Sequence, residues 1–204
     1  MDAAREMFRD QGYGGTSLRQ IAARVNTPQA TVYRYFDSKS ALFEAAILEP
    51  FESFLAELND QWAGTDATKL SNDDLIAGLT RQFYDFAVTH RADLMTLIAA
   101  SRFDDDAPPA RQRFTDLVRD VTRQALEQRS GRAWDSIDIE VAIPLTITMM
   151  FSAAMLEDWF FPADEDRPDR GRILTELTAF GQARSAAGCA AAPRGNSAGN
   201  PGSE

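Results

Sequence analysis

The stretch that decides the fold is residues 16–36, TSLRQIAARVNTPQATVYRYF. Ser17 and Gln20 stand three residues apart in the form of a capping box, in which two side chains satisfy free backbone N–H groups at the start of a helix. The residues behind this box place apolar side chains on one face of that helix, at Leu18, Ile21, Ala22 and Val25. Asn26 follows at a position suited to left-handed backbone, which asparagine adopts more readily than most residues. The pattern predicts a short helix that ends in a tight turn.

A second short helix follows the turn and is predicted to run to about Phe36. Thr27 and Pro28 suit its cap and its first turn, because proline has no N–H to satisfy there. Its inward residues are expected to be core and to pack against the preceding helices: Val32 and Phe36 against Phe8, Leu18 and Ile21. Its outward side chains, which fit either an ordinary exposed face or a contact with nucleic acid, include Tyr33, Arg34 and Tyr35.

Clear helix boundaries flank this pair of helices. A glycine cluster at residues 12–15 ends the first predicted helix, because glycine adopts positive φ freely. Asp37 or Ser38 begins a longer fourth helix, and Pro50 is expected to bend it by removing a backbone hydrogen bond. Short helices joined by a tight turn, the second with exposed polar groups, are typical of a helix-turn-helix domain.

Charge divides the chain into two regions. The 204 residues carry a formal net charge of −10 at pH 7. Residues 5–39 nevertheless contain six basic and three acidic side chains, and the first fifty residues are neutral overall. The whole acidic excess therefore lies beyond residue 50. Because DNA phosphates are bound chiefly by Lys and Arg, this partition allows a DNA-binding region within an acidic protein.

The rest of the chain is predicted to be helical, because apolar residues recur at helical spacing and no alternating strand pattern occurs. Residues 139–161 leave almost no polar face, so we expect this helix to be buried on all sides. A last helix is predicted near 169–185, and the Ala, Gly, Pro and Ser content after it indicates a disordered tail. We therefore predict an all-α protein of about nine helices, with a helix-turn-helix domain over 1–48, a larger helical domain over 49–186 and a tail over 187–204.

Composition also limits the classes of function. One cysteine cannot form an internal disulfide, and no apolar run suits a membrane span or a secretion leader, so we expect a cytoplasmic protein with no membrane partner. One histidine and one cysteine cannot build the usual nucleophilic or metal sets, so we expect no enzyme, no metal and no cofactor. His90 is expected to cap a helix C-terminus, and the acidic runs at 104–106 and 164–166 are expected to be solvated loops.

A resemblance to the DNA-binding domain of the TetR (tetracycline repressor) family runs almost from end to end through residues 2–47, DAAREMFRDQGYGGTSLRQIAARVNTPQATVYRYFDSKSALFEAAI. The joint pattern that carries it is Gly12-Tyr13, Thr16-Ser17, Ile21-Ala22, Tyr33-x-Tyr35-Phe36 and Lys39. Beyond residue 48 the chain is similar to the family only in the number and length of its predicted helices. The resemblance implies a homodimeric transcriptional regulator that binds a palindromic operator on double-stranded DNA and responds to a small-molecule effector.

The resemblance implies DNA contacts for ten residues. Positions that meet base edges on the recognition helix are Gln29, Ala30, Thr31 and Arg34. Positions that contact the DNA backbone, or begin the helix that crosses it, are Tyr33, Tyr35, Lys39, Thr16, Ser17 and Arg19. Elementary chemistry agrees, because hydroxyl and ammonium groups bind phosphate, and arginine or glutamine can read purine edges with two hydrogen bonds.

The turn departs from the family pattern. The usual Ala-Gly-Val-Ser is here Val25-Asn26-Thr27-Pro28, so Pro28 stands where the family has a capping serine. Spacing alone favours Thr27 as the cap instead, which differs from the family register by one residue.

The larger domain is expected, from the resemblance, to bind the effector and to form the dimer. Residues suited to an adaptable apolar pocket, although each also fits an ordinary core, are Phe83, Phe86, Met95, Phe103, Phe114, Met149 and Met150. Thr146 is expected either to line that pocket or to bond the carbonyl four residues back. The last two helices are expected to pair with their copies in a second subunit through Ser152, Ala153, Met155, Trp159, Ile173, Leu177 and Phe180.

The function most consistent with these patterns is that of a repressor released by a small hydrophobic or aromatic effector. The alternatives are an activator or a partner-controlled DNA-binding protein of the same fold, or a helical small-molecule carrier. The fourth predicted helix joins the two regions and is the candidate moving part.

Overall fold

The computed structural model describes residues 1–64, 71–103, 110–127, 138–163 and 166–191, and within these ranges all regular structure is helical. The helices are α1 Asp2–Gly15, α2 Leu18–Arg24, α3 Gln29–Tyr35, α4 Lys39–Ile47, α5 Glu49–Gly64, α6 Asn72–Thr89, α7 Arg91–Phe103, α8 Ala110–Glu127, α9 Ile139–Met155, α10 Glu157–Phe160 and α11 Arg170–Ala191. The predicted all-α class is confirmed. The described ranges hold eleven helices rather than about nine, because two predicted long helices each divide in two.

The first division separates α4 from α5 at Leu48, two residues before Pro50. Proline lacks the N–H that would bond the carbonyl of Ala46 in a continuous helix. That carbonyl instead accepts a hydrogen bond of 2.8 Å from Nε of Arg5 in α1. The predicted bend at Pro50 is therefore a full break, and a side chain of the first helix satisfies the group that the proline leaves free.

The second division lies at Leu156, which separates α9 from the single turn of α10. The side chain of Glu157, at the start of α10, accepts a hydrogen bond of 2.8 Å from Tyr84 and one of 2.7 Å from Arg167. Asp158 in turn accepts hydrogen bonds from Arg91 and Arg167. These pairs fix α10 against α6, α7 and the segment before α11.

The glycine cluster interrupts α1 as predicted. Gly12 has φ 72° and ψ 173°, a combination that residues with a β-carbon rarely adopt. The chain therefore turns at the end of α1 and delivers Tyr13 into the core, where its ring meets Phe8 and Phe43.

The first hydrophobic core joins the N-terminal helices to α7. Phe8 and Phe43 are fully buried at its centre, and Leu18 and Ile21 of α2 belong to it. Val32 and Phe36 pack against it, so the predicted inward pair of the recognition helix is confirmed. Leu97 and Ala100 of α7 are members of the same cluster. The N-terminal helices thus share one continuous core with part of the larger region, although the predicted boundary at residue 48 coincides with the α4–α5 break.

The second core lies among α5, α6, α8, α9 and α11 and is rich in phenylalanine. The rings of Phe51, Phe86 and Phe151 make mutual contacts at centroid distances of 5.5 to 6.4 Å. The helix α11 approaches α6 closely at Gly181, where an added β-carbon would stand 2.7 Å from Ile76. Side-chain burial here supplies most of the apolar area that stabilises the larger region.

The helix α9 is not buried on all sides, which corrects the prediction made from its apolar sequence. Val141 is 48% exposed and Leu145 is 54% exposed. Ile147 and Phe151, on the other side of the helix, are buried in the second core. An apolar outer face thus remains uncovered in the single chain.

Several other predictions can be placed on the fold. His90 is the C-cap residue of α6, as predicted. The helix α11 extends to Ala191, and the rest of the predicted tail lies outside the described residues, as do the acidic runs except Asp166. None of the helices in the described ranges is both long and apolar enough to cross a membrane.

Candidate nucleic-acid interface

The α2–turn–α3 unit has the geometry of a helix-turn-helix. Ser17 is the N-cap of α2 and accepts a hydrogen bond from the backbone N–H of Gln20, as the capping box predicts. Asn26 has φ 50° and is the residue with left-handed backbone in the turn, also as predicted. Pro28 is the N-cap of α3, so the prediction that Thr27 caps the helix is wrong and the family register is correct. The hydroxyl of Thr27 donates to the carbonyl of Val25.

The recognition helix α3 has no buried residue. Its exposed side chains, all in the predicted DNA-binding set, are Gln29, Ala30, Tyr33, Arg34 and Tyr35, with Thr31 half-buried. Tyr33 is 48% exposed and Tyr35 is 69% exposed. These two neighbouring exposed rings give α3 a surface that a partner could cover.

Arg34 and Tyr35 contact each other at the end of α3. Nη2 of Arg34 donates a hydrogen bond of 3.2 Å to the hydroxyl of Tyr35. The guanidinium carbon of Arg34 also lies 5.1 Å from the centre of the Tyr35 ring, within the range of a cation–π contact. Two contacts with one neighbour restrict an arginine that would otherwise be free.

Lys39, the first residue of α4, is tied to the end of α1. Its Nζ donates a hydrogen bond of 2.9 Å to the carbonyl of Tyr13 and lies 3.9 Å from the centre of the Tyr13 ring. The ammonium group carries three donors, so this contact leaves others for a phosphate oxygen. Lys39 is half-buried, and its position depends on the turn that Gly12 makes.

Thr16 is not available for contact with DNA, which corrects its place in the predicted set. It is 2% exposed, and its hydroxyl donates to the carbonyls of Met7 and Gly12. Thr16 therefore stabilises the C-terminal end of α1 through contacts with the carbonyls of that helix. Ser17 is half-buried and its hydroxyl is occupied by the cap, whereas Arg19 is exposed.

The cations of the N-terminal region fall into two groups. Arg5, Arg9 and Arg24 each pair with a carboxylate, at 3.3, 2.7 and 3.5 Å respectively. The cations that make no ion pair with any described residue are Arg19, Arg34 and Lys39. These three belong to the set that the sequence assigns to DNA binding, so the positive charge that remains uncompensated is placed where phosphates would be met.

A polar chain links this region to α7 and to the end of α6. Arg9 of α1 makes two hydrogen bonds of 2.7 Å to Asp93, which is 2% exposed. Nδ1 of His90 lies 3.4 Å from the same carboxylate. The hydrogen bond to Asp93 is the main reason that the pKa of Arg9 is raised. The His90 ring stacks on Phe86 at a centroid distance of 4.5 Å, so the chain of contacts runs from α1 to the core of the larger region.

A cleft of about 290 Å³ opens between α5 and α6 beside His90. Its lining residues are Phe54, Glu57, Leu58, Gln61, Gln82, Asp85, Phe86, Thr89 and His90. Phe54 stacks on Phe86 at 4.5 Å, so an aromatic wall continues from the cleft to His90. Sequence reasoning identified Phe86 but missed the other lining residues, because no pattern in the sequence shows which faces of α5 and α6 leave a gap.

The remaining predicted pocket residues lie elsewhere. Met95 is 46% exposed and is not among the residues that line this cleft, so its place in an effector pocket stays a prediction. Thr146 bonds the carbonyl of Ala142 four residues back, which is the second of its two predicted roles. The residues that belong to the second core or pack against it are Phe83, Met150, Phe114 and Met149. The side chain of Phe103 lies outside the described residues.

The predicted dimer residues fall into buried, half-buried and exposed groups. Ile173 and Leu177 are buried in the second core of the same chain, so they do not form an exposed face, and their assignment is wrong in that respect. Trp159 is 79% exposed and Phe180 is 67% exposed. The half-buried residues of α9 in the set are Ser152, Ala153 and Met155. Surface aromatics of this size at the C-terminal end of the chain mark a face that a partner could cover.

Comparison with known proteins agrees with this geometry. The helix-turn-helix with its exposed cations defines a DNA-binding transcriptional regulator. Residues 1–46 match the family model of bacterial regulatory proteins, tetR family, so this N-terminal region is similar to the DNA-binding domain of those regulators. The family comprises DNA-binding regulators rather than enzymes.

Individual relatives support the same conclusion. The HTH-type transcriptional regulator YdeS of Bacillus subtilis is 25% identical over 154 residues, 74% of each chain. IcaR, the negative regulator of the biofilm operon icaADBC in Staphylococcus aureus, is 40% identical over 47 residues, which are 23% of this chain and 25% of IcaR. A tetR-family regulatory protein from Rhodococcus RHA1 shares the fold, with a TM-score of 0.63 and 21% identity over 88% of this chain and 90% of its own.

Proposed function

We propose that the chain is a homodimeric repressor that binds a palindromic operator and is released by a small-molecule effector. The observation that carries the proposal is the set of three cations without a carboxylate partner in the described residues, Arg19, Arg34 and Lys39. Arg19 and Arg34 stand on the helix-turn-helix and Lys39 at the start of the next helix, in a chain whose net charge is −10. Their placement supports a site for a polyanion, because the rest of the protein repels one.

Two copies are needed to read a palindrome. In a helix-turn-helix dimer the two recognition helices enter successive major grooves about 34 to 36 Å apart. The exposed aromatic groups of Trp159 and Phe180 support a dimer contact near the C-terminal end of each chain. This placement would leave both copies of α3 free to meet DNA. Such a regulator acts in the cytoplasm, where the DNA is.

The cleft between α5 and α6 supports an effector site. Its walls combine aromatic rings with amides and carboxylates, a mixture that suits an aromatic compound with a few polar groups. His90 belongs both to the cleft and to the polar chain that reaches Arg9. An effector that stacks beside Phe86 and displaces His90 would thus alter the contact between α7 and α1. Its effect on DNA affinity cannot exceed its preference for one state, and such a coupling is typically about 1 to 3 kcal/mol.

DNA binding can be tested with the region that flanks the protein's own gene. Fluorescence anisotropy is expected to show a specific complex whose affinity falls as salt rises. Lys39→Ala and Arg19→Ala should each weaken the complex and reduce the salt slope by about one. Arg24→Ala is the matched control, because Arg24 already pairs with Glu6. Equal salt slopes for all three variants would refute the assigned site.

The effector and the sign of regulation need separate measurements. A thermal-shift screen of small aromatic compounds is expected to find ligands that stabilise the protein, and His90→Ala should weaken their effect on DNA binding. A reporter gene behind the operator distinguishes the two modes of control. Higher expression when the regulator is deleted supports a repressor, and lower expression supports an activator.

A further inference from the structure

We infer that Arg34 reads a guanine in each half of the operator and that Tyr35 is the positioning residue that holds its guanidinium for this task. The inference rests on the proposed DNA-binding function. In this inference Arg34 contacts the base, and Tyr35 holds the guanidinium of Arg34 in the orientation that the contact requires.

Arg34 has the chemistry for this role. Within α3, every residue of which is described, Arg34 is the only cationic side chain. A guanidinium presents donors in a planar fork, and the major-groove edge of guanine offers two acceptors, O6 and N7, at a matching separation. Adenine offers N7 beside an amino donor, so it cannot accept both hydrogen bonds. A fork that meets the groove edge therefore prefers guanine.

The guanidinium is also free of competing anions. No ion pair joins Arg34 to a carboxylate among the described residues, in contrast to Arg5, Arg9 and Arg24. Among the described residues, its side-chain hydrogen bond and its ring contact are both made with Tyr35. A guanidinium has five N–H donors, and the hydrogen bond to Tyr35 uses one. The remaining donors are available to a base.

Tyr35 restricts the arginine before DNA arrives. The hydrogen bond of 3.2 Å and the ring contact of 5.1 Å hold the guanidinium beside the phenol of Tyr35. Fewer conformations are then lost on binding, which is the general advantage of preorganisation. Because the discrimination depends on the direction of the fork, a looser guanidinium would bind phosphate as well as before and would distinguish bases less.

The two expected roles of Tyr35 reinforce each other. Its hydroxyl oxygen accepts from Arg34, and its own O–H can still be donated to a phosphate oxygen. Donation to phosphate makes the oxygen a better acceptor, so contact with the DNA backbone would tighten the hold on Arg34. Phosphate contact and base recognition are thereby joined through one hydroxyl.

The test is selection of binding sites from a randomised DNA library by the full-length protein. The wild-type protein is expected to select a two-fold symmetric site with a guanine at one fixed position in each half. Changing that guanine to adenine should weaken wild-type binding by at least about fivefold. Arg34→Gln replaces the guanidinium with an amide, which pairs with adenine rather than guanine, so it should lose this preference. Tyr35→Phe should lower the preference, and Arg24→Gln, the matched control, should leave it unchanged because Arg24 already pairs with Glu6.

Each outcome decides one part of the inference. If Arg34→Gln keeps the full preference for guanine, Arg34 does not read that base. If Arg34→Gln loses the preference and Tyr35→Phe retains it, Tyr35 has no positioning role. If the wild-type protein selects no symmetric site, the proposed function itself fails. Circular dichroism and thermal unfolding verify the fold of each variant. Both side chains are exposed, so we expect their substitution to disturb the fold little.

Discussion

The guanidinium of Arg9 in α1 binds the carboxylate of Asp93 in α7 through two hydrogen bonds, each of 2.7 Å, across 84 positions of sequence. Bidentate pairs of this kind are stronger and more directional than single ones. The carboxylate lies in the first turn of α7, where the helix dipole also favours a negative charge. The pair therefore fixes the orientation of the DNA-reading helices relative to α7.

Arg9→Ala should destabilise the protein, because it leaves the buried carboxylate of Asp93 without its main partner. We expect a loss of about 2 to 3 kcal/mol in the free energy of unfolding, below the value for a fully buried pair because Arg9 is about one-third exposed. Arg24→Ala, which breaks an exposed pair, should cost less than about 1 kcal/mol. Urea unfolding measures both. If Arg9→Ala and Asp93→Ala have strictly additive effects in the double variant, the two side chains are not coupled.

Thr16→Val should lower stability and leave the affinity for DNA unchanged. The substitution conserves shape but removes the hydroxyl that donates to the carbonyls of Met7 and Gly12. A loss of about 1 kcal/mol in the free energy of unfolding is expected. Anisotropy titrations at one salt concentration supply the second measurement. A clearly weaker complex, in a variant that is still folded, would restore Thr16 to the DNA-binding set.

Asn26 should tolerate glycine better than alanine. Its φ of 50° lies in the left-handed region, which costs an alanine about 1 to 2 kcal/mol and a glycine almost nothing. Asn26→Ala is therefore expected to be less stable than Asn26→Gly in thermal unfolding. Equal stabilities of the two variants would show that the turn adopts another backbone conformation.

Tyr84 should make stability sensitive to alkaline pH. Burial, and next the hydrogen bond to Glu157, raise the pKa of Tyr84. The tyrosine in the unfolded chain has a pKa of about 10. Below that pH the buried Tyr84 makes its full contribution to the free energy of unfolding, and the contribution falls as the pH rises above it. Above about pH 10, the free energy of unfolding of Tyr84→Phe should fall less steeply than that of the wild-type protein. An unchanged alkaline limb in the unfolding curve would contradict the assignment.

Phe180→Asp should dissociate the proposed dimer without unfolding the subunit, because the side chain is 67% exposed. The dissociation constant is expected to rise at least about tenfold, as for other central aromatic contacts. Val88→Asp, at an exposed position of α6, is the matched control. Sedimentation equilibrium measures both variants. Equal dissociation constants would remove Phe180 from the contact.

Features that depend on neighbouring residues could be predicted from the sequence. The break at Gly12, the capping box at Ser17 and the left-handed backbone at Asn26 each follow from the conformational preference of a residue and its immediate neighbours. The inward pair Val32 and Phe36 follows from helical periodicity. The exception is the start of α3, where Thr27 and Pro28 are both acceptable caps and only the packing of the turn selects one.

Features that depend on how helices meet could not be predicted. Periodicity identifies an apolar face, but it does not show whether the same chain or a second copy covers it, which is why Leu177 was placed in a dimer contact. Met95 is apolar and exposed, and burial cannot be read from residue type alone. The pair Arg9 and Asp93 has no sequence signal at all, since each resembles an ordinary surface charge until α1 and α7 are brought together.

The core that Leu97 and Ala100 of α7 share with the N-terminal helices limits how such regulators can be recombined. A chimaera that grafts residues 1–48 onto the body of a relative would set this apolar cluster, and Arg9, against a foreign seventh helix. Its stability would then depend on complementary side chains that neither parent was selected to supply. The unit of exchange among these proteins is accordingly the DNA-reading helices together with the matching face of α7.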